Sequence, residues 1–434
     1  MIKKIISLAA AVLLLAGCGS DERSNILKVY NWADYIDEEL LGEFEDWYEE
    51  QTGEKVEIIY QTFDINETML SKIELGHEDY DVVCPSDYII ERMLKNDLLL
   101  PIDRDFGTTP DYTVGVAPYI ADKFNQIEGH GKNANDYSVA YMWGTVGLIY
   151  NPKYVPEEEV KSWNVLLNPD YKGKILMKDA FRDVYTSLLI ALNKDEIDAG
   201  RKDIGSLSFD SSDESIALVE NFLNSFKESV SGWEADFGKE QMTKELAWMN
   251  LSWSGDAQWA IDEAAEMGID LRYDIPAEGS SVWFDGWVIP KYARNVKAAS
   301  YFINFMCMPE NALRNMDMTG YVSAIGGEQI LESMTDDEEY EALDASYFFG
   351  EGADSVHVNH IMYPDKATVE RCAMMHDTDT EALLKMWSRV KGDSASAWTY
   401  ILICLVFAGL IGAVILKYTR KSHRRKRYSK RRKK

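Results

Sequence analysis

The chain has 434 residues, of which 73 are acidic and 45 are Lys or Arg, and its formal net charge is −28. This length allows two or three domain-sized units. Twelve of the basic residues are concentrated in 417–434, so the part of the chain between the two ends is more acidic still, near −42. The electric field of so large a negative charge repels nucleic acid and attracts cations, which argues against a DNA- or RNA-binding role.

The first 18 residues have the pattern of a bacterial secretion signal. Two lysines precede an apolar run that ends in Leu15-Ala16-Gly17-Cys18, and small residues before a cysteine are typical of a lipoprotein cleavage site. We therefore expect residues 1–18 to be a lipoprotein signal peptide, Cys18 to carry the lipid, and residues 19–25 to form a short tether. An ordinary signal peptide that leaves a free cysteine is the alternative.

A second apolar stretch lies near the other end of the chain. Residues 398–416 contain no charged side chain and are just long enough for a transmembrane helix, and residues 417–434 then carry only basic charges. By the positive-inside rule this basic tail would be cytoplasmic, and residues 19 to about 396 would lie outside. The two ends together predict lipid and helix anchors at the outer face of the cytoplasmic membrane.

From Ile26 onward the pattern alternates between strands and helices. Strands are predicted at 26–30, 56–60 and 81–84, with helices between them. A βαβαβ unit of this kind predicts an open, largely parallel sheet, in which ligands bind beyond the carboxyl ends of the strands. Those ends carry aromatic and polar side chains: Trp32, Asp34, Tyr35, Phe63, Ser86 and Tyr88.

The alternation restarts after a long apolar strand that ends at Asn151. A strand at 175–177 leads to Asp179, a candidate helix N-cap, and to Asp183, which would lie in the first turn of the next helix. Further on, the sequence predicts helices at 213–225, 256–265 and 297–306, a strand ending in Trp253, and mainly helices up to Gly392. Cys84 is expected to be a packed core thiol.

The stretch Ser280–Pro290 places one carboxylate, Asp285, among the rings of Trp283, Phe284 and Trp287. A buried carboxylate needs a partner, and a ligand ammonium suits both the ring faces and the negative charge. A core strand in which Asp285 caps a turn is the alternative.

Catalytic motifs are missing from the sequence. It contains no phosphate-binding glycine loop, no metalloprotease histidine pair and no serine-nucleophile elbow. The close pair His357 and His360 has no convincing third metal ligand. We therefore expect a protein that is not an enzyme and needs neither a metal nor a cofactor.

Five motifs together resemble those of the periplasmic spermidine/putrescine-binding proteins of ABC importers. They are Val29-Tyr30-Asn31-Trp32-Ala33-Asp34-Tyr35, Asp81-Val82-Val83-Cys84-Pro85-Ser86, Tyr141-Met142-Trp143-Gly144, Trp253-Ser254-Gly255-Asp256 and Trp283-Phe284-Asp285. The resemblance implies a two-lobe α/β domain over 26–392 with the type II periplasmic-binding fold. Crossovers near 141–144 and 253–283 would join the lobes, which close on the ligand by hinge motion.

The resemblance also implies a polyamine site and its partners. The matching positions are Trp32, Asp34, Tyr35, Ser86, Tyr88, Asp183, Trp253, Trp283, Asp285 and Tyr321. Trp253 and Trp283 would sandwich the alkyl chain of the polyamine. Its amines would be held by Asp34, Asp183 and Asp285. The expected partners are spermidine or putrescine, an ABC permease with its ATPase, and the cytoplasmic membrane. A polyamine-sensing ectodomain that signals through a membrane partner is the alternative function.

Overall fold

The computed structural model describes residues 22–392. It divides into a first unit that ends at Thr380 and a second unit that begins at Glu381. The described residues of the second unit continue one helix, Thr380–Gly392. The predicted signal peptide 1–18 with Cys18, the apolar segment 398–416 and the basic tail 417–434 all lie outside the described residues.

The strands of the first unit are numbered here in chain order. They are β1 (Ile26–Trp32), β2 (Glu57–Phe63), β3 (Val82–Val83), β4 (Leu99–Leu100), β5 (Glu128–Gly129), β6 (Lys132–Asn133), β7 (Ser138–Tyr150), β8 (Ile175–Lys178), β9 (Val230–Glu234), β10 (Met249–Trp253), β11 (Arg272–Asp274), β12 (Ser280–Pro290), β13 (Val322–Ser323), β14 (Ala342–Leu343), β15 (Val356–His357) and β16 (Cys372–Ala373).

The helices are numbered in the same way. They are α1 (Glu39–Thr52), α2 (Asn66–Glu74), α3 (Asp87–Lys95), α4 (Pro118–Phe124), α5 (Ala134–Tyr137), α6 (Glu157–Val160), α7 (Phe181–Leu192), α8 (Lys194–Asp198), α9 (Ile204–Leu207), α10 (Asp213–Phe226), α11 (Gly238–Thr243), α12 (Ser254–Glu266), α13 (Val296–Met306), α14 (Pro309–Thr319), α15 (Glu328–Met334), α16 (Ser346–Phe349), α17 (Lys366–Val369) and α18 (Thr380–Gly392). Short 3-10 helices lie at Glu22–Asn25, Tyr112–Gly115, Trp163–Leu167, Pro169–Tyr171 and Lys227–Ser229.

Each lobe of the first unit contains a set of parallel strands. In the first lobe β1 lies between β2 and β3 and runs parallel to both, with α1 and α2 as the connections. In the second lobe β8 lies between β10 and β9 and is parallel to both. Parallel strands need a long connection, so the alternating helical and strand pattern of the sequence leads to this arrangement.

Two long antiparallel strands, β7 and β12, join the lobes. The sheet order is β2-β1-β3-β12-β7-β10-β8-β9. The first half of β7 pairs with β12 and β13, and from Val146 onward β7 pairs with β10 and β11 instead. The end of β12 pairs with β3 and β4 of the first lobe. The prediction of a two-lobe α/β fold is therefore confirmed.

The buried rings explain how the first lobe packs around these strands. Every residue of β7 is buried, and the ring of Trp287 lies 5.5 Å from that of Phe302, which in turn packs against Phe44. On the other face Trp143 stacks near Phe284 at 6.3 Å. Cys84 is fully buried as a free thiol, as predicted.

The transmembrane part of the predicted fold class is corrected by the structure. Spanning a bilayer takes about 20 apolar residues, and the longest helices within 22–392, α1 and α10, have 14 residues each. No helix in that range combines the necessary length and apolarity. The predicted span itself, 398–416, lies outside the described residues, and the fold class is that of the two-lobe α/β domain without a transmembrane helix.

Two local predictions also differ from the structure. Helix α7 begins at Phe181 with Ala180 at its N-cap position, so Asp179 lies one residue before the N-cap position predicted for it. The region after Tyr321 is not mainly helical, because β13 to β16 lie within it and β16 pairs with the start of β12. These strands have only two residues each, which is too short for a pattern with a period of two residues to be recognised.

Candidate functional site

Asp285 lies at a bulge in β12, at the carboxyl end of the first-lobe strands. The register with β7 shifts between Asp285 and Gly286, and Asp285 forms an isolated bridge with Ser86, which follows β3. The N–H of Gly286 donates to the carbonyl of Pro85 over 3.1 Å. The bulge re-aims the aspartate, as bulges next to functional sites commonly do.

One oxygen of this buried carboxylate has a partner and the other does not. The hydroxyl of Tyr35 donates to Oδ2 of Asp285 over 2.9 Å, whereas Oδ1 has no hydrogen-bond partner within residues 22–392. Burial raises the pKa of Asp285 to about 7, although the hydroxyl groups of Ser86 and Tyr35 favour the ionised form, and the charge of Asp183 adds to the rise. The site therefore contains a carboxylate that lacks a cation.

Three rings form a row beside this carboxylate. The Tyr321 ring lies 5.2 Å from that of Tyr35 and 5.5 Å from that of Trp283, edge to face in both cases. Trp283 is opposite Gly144 in the β7–β12 register, and a Cβ on Gly144 would lie 2.6 Å from the indole. Glycine at this position therefore lets the Trp283 ring lie directly against β7.

A second carboxylate, Asp183, lies on the edge of the other lobe. Because β8 and β10 are parallel neighbours, Trp253 at the end of β10 meets the first turn of α7, which follows β8. The indole N–H of Trp253 donates to Oδ2 of Asp183 over 2.8 Å. Burial raises the pKa of Asp183 to about 6, against this hydrogen bond and the charges of Arg182 and Lys178.

Ser86 and Tyr88 border the site from the start of α3. Ser86 occupies the N-cap position, but its side chain does not cap the helix; its hydroxyl accepts from the amide of Asn66 over 2.9 Å. The hydroxyl of Tyr88 donates to Glu67 over 3.1 Å. The guanidinium of Arg182, from the second lobe, lies 4.0 Å from the Tyr88 ring centroid, so the two lobes are in contact here.

Not all of the predicted site residues converge in this structure. Trp32 packs against Phe63, with 4.5 Å between ring centroids, and its buried indole N–H has no partner among the described residues. Asp34 is exposed, in a left-handed backbone conformation with φ of 51°. The structure thus brings Tyr35, rather than Asp34, to Asp285.

Sequence reasoning missed several charged residues around the site. Asp87 is buried and accepts from the backbone N–H groups of Phe284 and Tyr88, over 3.1 and 2.6 Å. Burial raises the pKa of Asp87 well above its usual range. Asp256 accepts from the hydroxyl of Tyr321 over 2.8 Å and also pairs with Lys178. These charged residues lie at or just after the carboxyl ends of strands. Because ligands bind at that edge of an open α/β sheet, their position in the sequence could have identified them as candidate site residues.

The fold and the site define a class of protein. Two α/β lobes, joined by crossing strands, present rings and buried carboxylates to each other, which is an arrangement for holding a small ligand between the lobes.

Residues 45–342 match the family model of the bacterial extracellular solute-binding proteins, and this chain belongs to that family. It is 27% identical over 325 residues to the spermidine/putrescine-binding periplasmic protein of Escherichia coli (strain K12), an alignment that covers 74% of this chain and 83% of that one. It is 28% identical over 321 residues to the putrescine-binding periplasmic protein SpuD of Pseudomonas aeruginosa, covering 70% and 79%.

A solved structure shares the fold. The spermidine/putrescine ABC transporter substrate-binding protein PotD from Streptococcus pneumoniae is 28% identical, with a TM-score of 0.63, and the match covers 85% of this chain and 99% of that one. Both lobes and their crossovers are therefore part of the similarity.

Proposed function

We propose that this protein is the polyamine-binding component of an ABC importer, with spermidine or putrescine as its ligand. The observation that carries the proposal is the buried Oδ1 of Asp285, which has no partner within residues 22–392 and lies beside three aromatic rings. A polyamine is an alkyl chain with ammonium groups at intervals, so it needs ring faces along the chain and carboxylates at the amines.

The proposed site has one carboxylate at the edge of each lobe. Asp285, with Tyr35, Ser86, Trp283 and Tyr321, would hold one ammonium. Asp183, with Trp253, would hold another, and the charge of Asp183 is close enough to raise the pKa of Asp285. Trp32, Asp34 and Tyr88 complete the proposed set at its rim. The names of the relatives support this ligand class.

The direct test is calorimetric titration of the purified full-length protein, in mild detergent, with putrescine, spermidine, spermine and arginine. We expect saturable binding of at least one polyamine with a micromolar or lower Kd, and much weaker binding of arginine. Folded protein that binds none of the polyamines would contradict the proposed function.

Binding of a polyamine is expected to depend on pH. The ammonium needs an ionised carboxylate, and Asp285 with a pKa of about 7 is mostly protonated at pH 5.5. Affinity for putrescine should therefore fall by roughly 30-fold between pH 8 and pH 5.5 from Asp285 alone, and protons should be released on binding near pH 7. Titrations in buffers of different ionisation enthalpy measure that release. An affinity that stays constant over this range would contradict a ligand ammonium held by an Asp285 that titrates near pH 7.

We further propose that the lobes open and close about the crossovers near 141–144 and 253–283, and that the closed form is recognised by a membrane permease and its ATPase. In this structure β7 exchanges its strand partners at Val146, next to the first of these segments. The contact of Arg182 with the Tyr88 ring across the lobes is one that opening would break.

The chain belongs to a family of extracellular solute-binding proteins, which supports a location outside the cytoplasm. We propose that Cys18 carries the lipid that keeps the protein at the outer face of the cytoplasmic membrane, because Ala16 and Gly17 precede it. Metabolic labelling with a fatty acid should mark the protein, and Cys18→Ala should remove the label. Cys84→Ala, which alters a buried thiol, is the matched control and should keep it.

A further inference from the structure

Lys178 is a buried cation at the edge of the proposed site. It ends β8, and 1% of its side chain is exposed. Its ammonium lies 3.1 Å from a carboxylate oxygen of Glu234, pairs with Asp256, and donates to the carbonyl of Ala235 over 2.9 Å. A buried ammonium is stable only with such partners.

The surroundings of this ammonium resemble those that a ligand amine requires. The Nζ atom of Lys178 lies 4.4 Å from the centroid of the Trp253 ring, and the same indole donates to Asp183. Asp256, which pairs with Lys178, also accepts from the hydroxyl of Tyr321. Lys178 thus shares one ring and one hydrogen-bond chain with the groups proposed to bind the polyamine.

The two carboxylates that hold Lys178 are already paired. Glu234 and Asp256 both pair with Lys178, and Asp256 also lies 3.6 Å from the ammonium of Lys239, which in turn pairs with Asp236 at 3.2 Å. Burial alone would lower the pKa of Lys178, but the charges of Asp256 and Glu234 raise it above its usual value, so the amine stays protonated. A ligand ammonium placed on this side of Trp253 would meet the ammonium of Lys178 and carboxylates that are already paired.

We propose that Lys178 is a specificity-determining residue, a built-in ammonium that closes the ligand slot beyond Trp253 and so limits the number of amines that the site can hold. This inference rests on the proposed polyamine function. The end of the ligand stops at Asp183, and the additional amines of a longer polyamine meet carboxylates, Glu234 and Asp256, that already pair with Lys178.

The test is the ratio of the Kd for putrescine to the Kd for spermine, which a purely structural role of Lys178 would not change. In Lys178→Met, Asp256 and Glu234 lose one of their two cations and can accept a ligand amine, so the ratio should rise at least about tenfold. Lys174→Met is the matched control, because its ammonium also lies over a tryptophan ring, 5.3 Å from the centroid of Trp248, at the opposite end of the strand. That control should leave the ratio unchanged.

Removing a cation from a buried ion pair can prevent folding, so a charge-balanced variant, Lys178→Met with Glu234→Gln, is measured as well. The ratio should rise in this variant too, but by less, because only Asp256 then remains to accept a ligand amine. In the unaltered protein, spermine should bind at most about threefold tighter than spermidine. Spermine binding more tightly than that, or an unchanged ratio in a folded variant, overturns the role of Lys178 while leaving the polyamine function intact. Failure of the unaltered protein to bind any polyamine overturns the function itself.

Discussion

Replacing Asp285 with asparagine is expected to lower the affinity for a polyamine by about a hundredfold. The substitution keeps the shape of the side chain and an oxygen that can accept from Tyr35, but it removes the charge that faces the ligand. A hydrogen bond to a charged group contributes roughly 1.5–3 kcal/mol, and the ring row around it excludes water that would otherwise replace the carboxylate. Calorimetric titration at pH 8, where Asp285 is mostly ionised, measures the loss.

The same substitution should stabilise the protein when no ligand is bound. The pKa of Asp285 is raised from 3.8 to about 7 in the folded chain, so its contribution to stability is present below the unfolded-state pKa and is lost as the pH rises through 7. At pH 8 the neutral asparagine avoids that loss, and the free energy of unfolding should increase by about 2–4 kcal/mol. At pH 4 the two proteins should differ little.

The exposed Asp354 provides the control, since Asp354→Asn changes the same charge on the surface. It should alter neither the affinity nor the pH dependence of stability. A loss of affinity in Asp285→Asn together with a lower unfolding temperature at pH 8 would indicate instead that the carboxylate is part of the structure of the core.

Trp253→Ala is expected to lower the affinity by about thirtyfold. The substitution removes a ring face for the ligand, a contribution of roughly 0.5–2 kcal/mol, and the N–H that donates to Asp183. Without that donor the pKa of Asp183 should rise further above about 6, so less of this carboxylate is ionised near neutral pH. When the pH is raised from 6 to 8, the affinity of Trp253→Ala should therefore increase by a larger factor than the affinity of the unaltered protein.

Trp253→Phe separates the two contributions, because it keeps a ring but lacks the N–H. Its affinity for the polyamine should lie between that of the unaltered protein and that of the alanine variant. Trp248→Phe is the control for tryptophan replacement away from the site, where Trp248 stacks on Tyr154 at 4.7 Å. Equal affinities of Trp253→Phe and Trp253→Ala would mean that only the hydrogen bond to Asp183 matters.

Much of the fold was predictable because strands and helices are specified by patterns within short stretches of the sequence. The strands before Trp32 and Ser86, and the helices between them, follow from apolar spacing over a few residues, and parallel strands necessarily end on one edge of a sheet. The rings and carboxylates at those ends therefore marked the site region. The helix expected after Asp179 was also correct in kind, although it begins at Phe181.

The sequence alone determined the class of fold and predicted the edge of the sheet where the candidate site lies, because periodicity and strand ends are properties of short segments. Only the tertiary structure decided which carboxylates are buried and what they face. Asp34 and Asp285 are equally acidic in sequence, yet a left-handed turn exposes one, and a bulge buries the other beside Tyr35, 250 residues away. The pairing of Lys178 with Asp256 likewise depends on how distant strand ends meet, since a pKa is set by three-dimensional burial and charge.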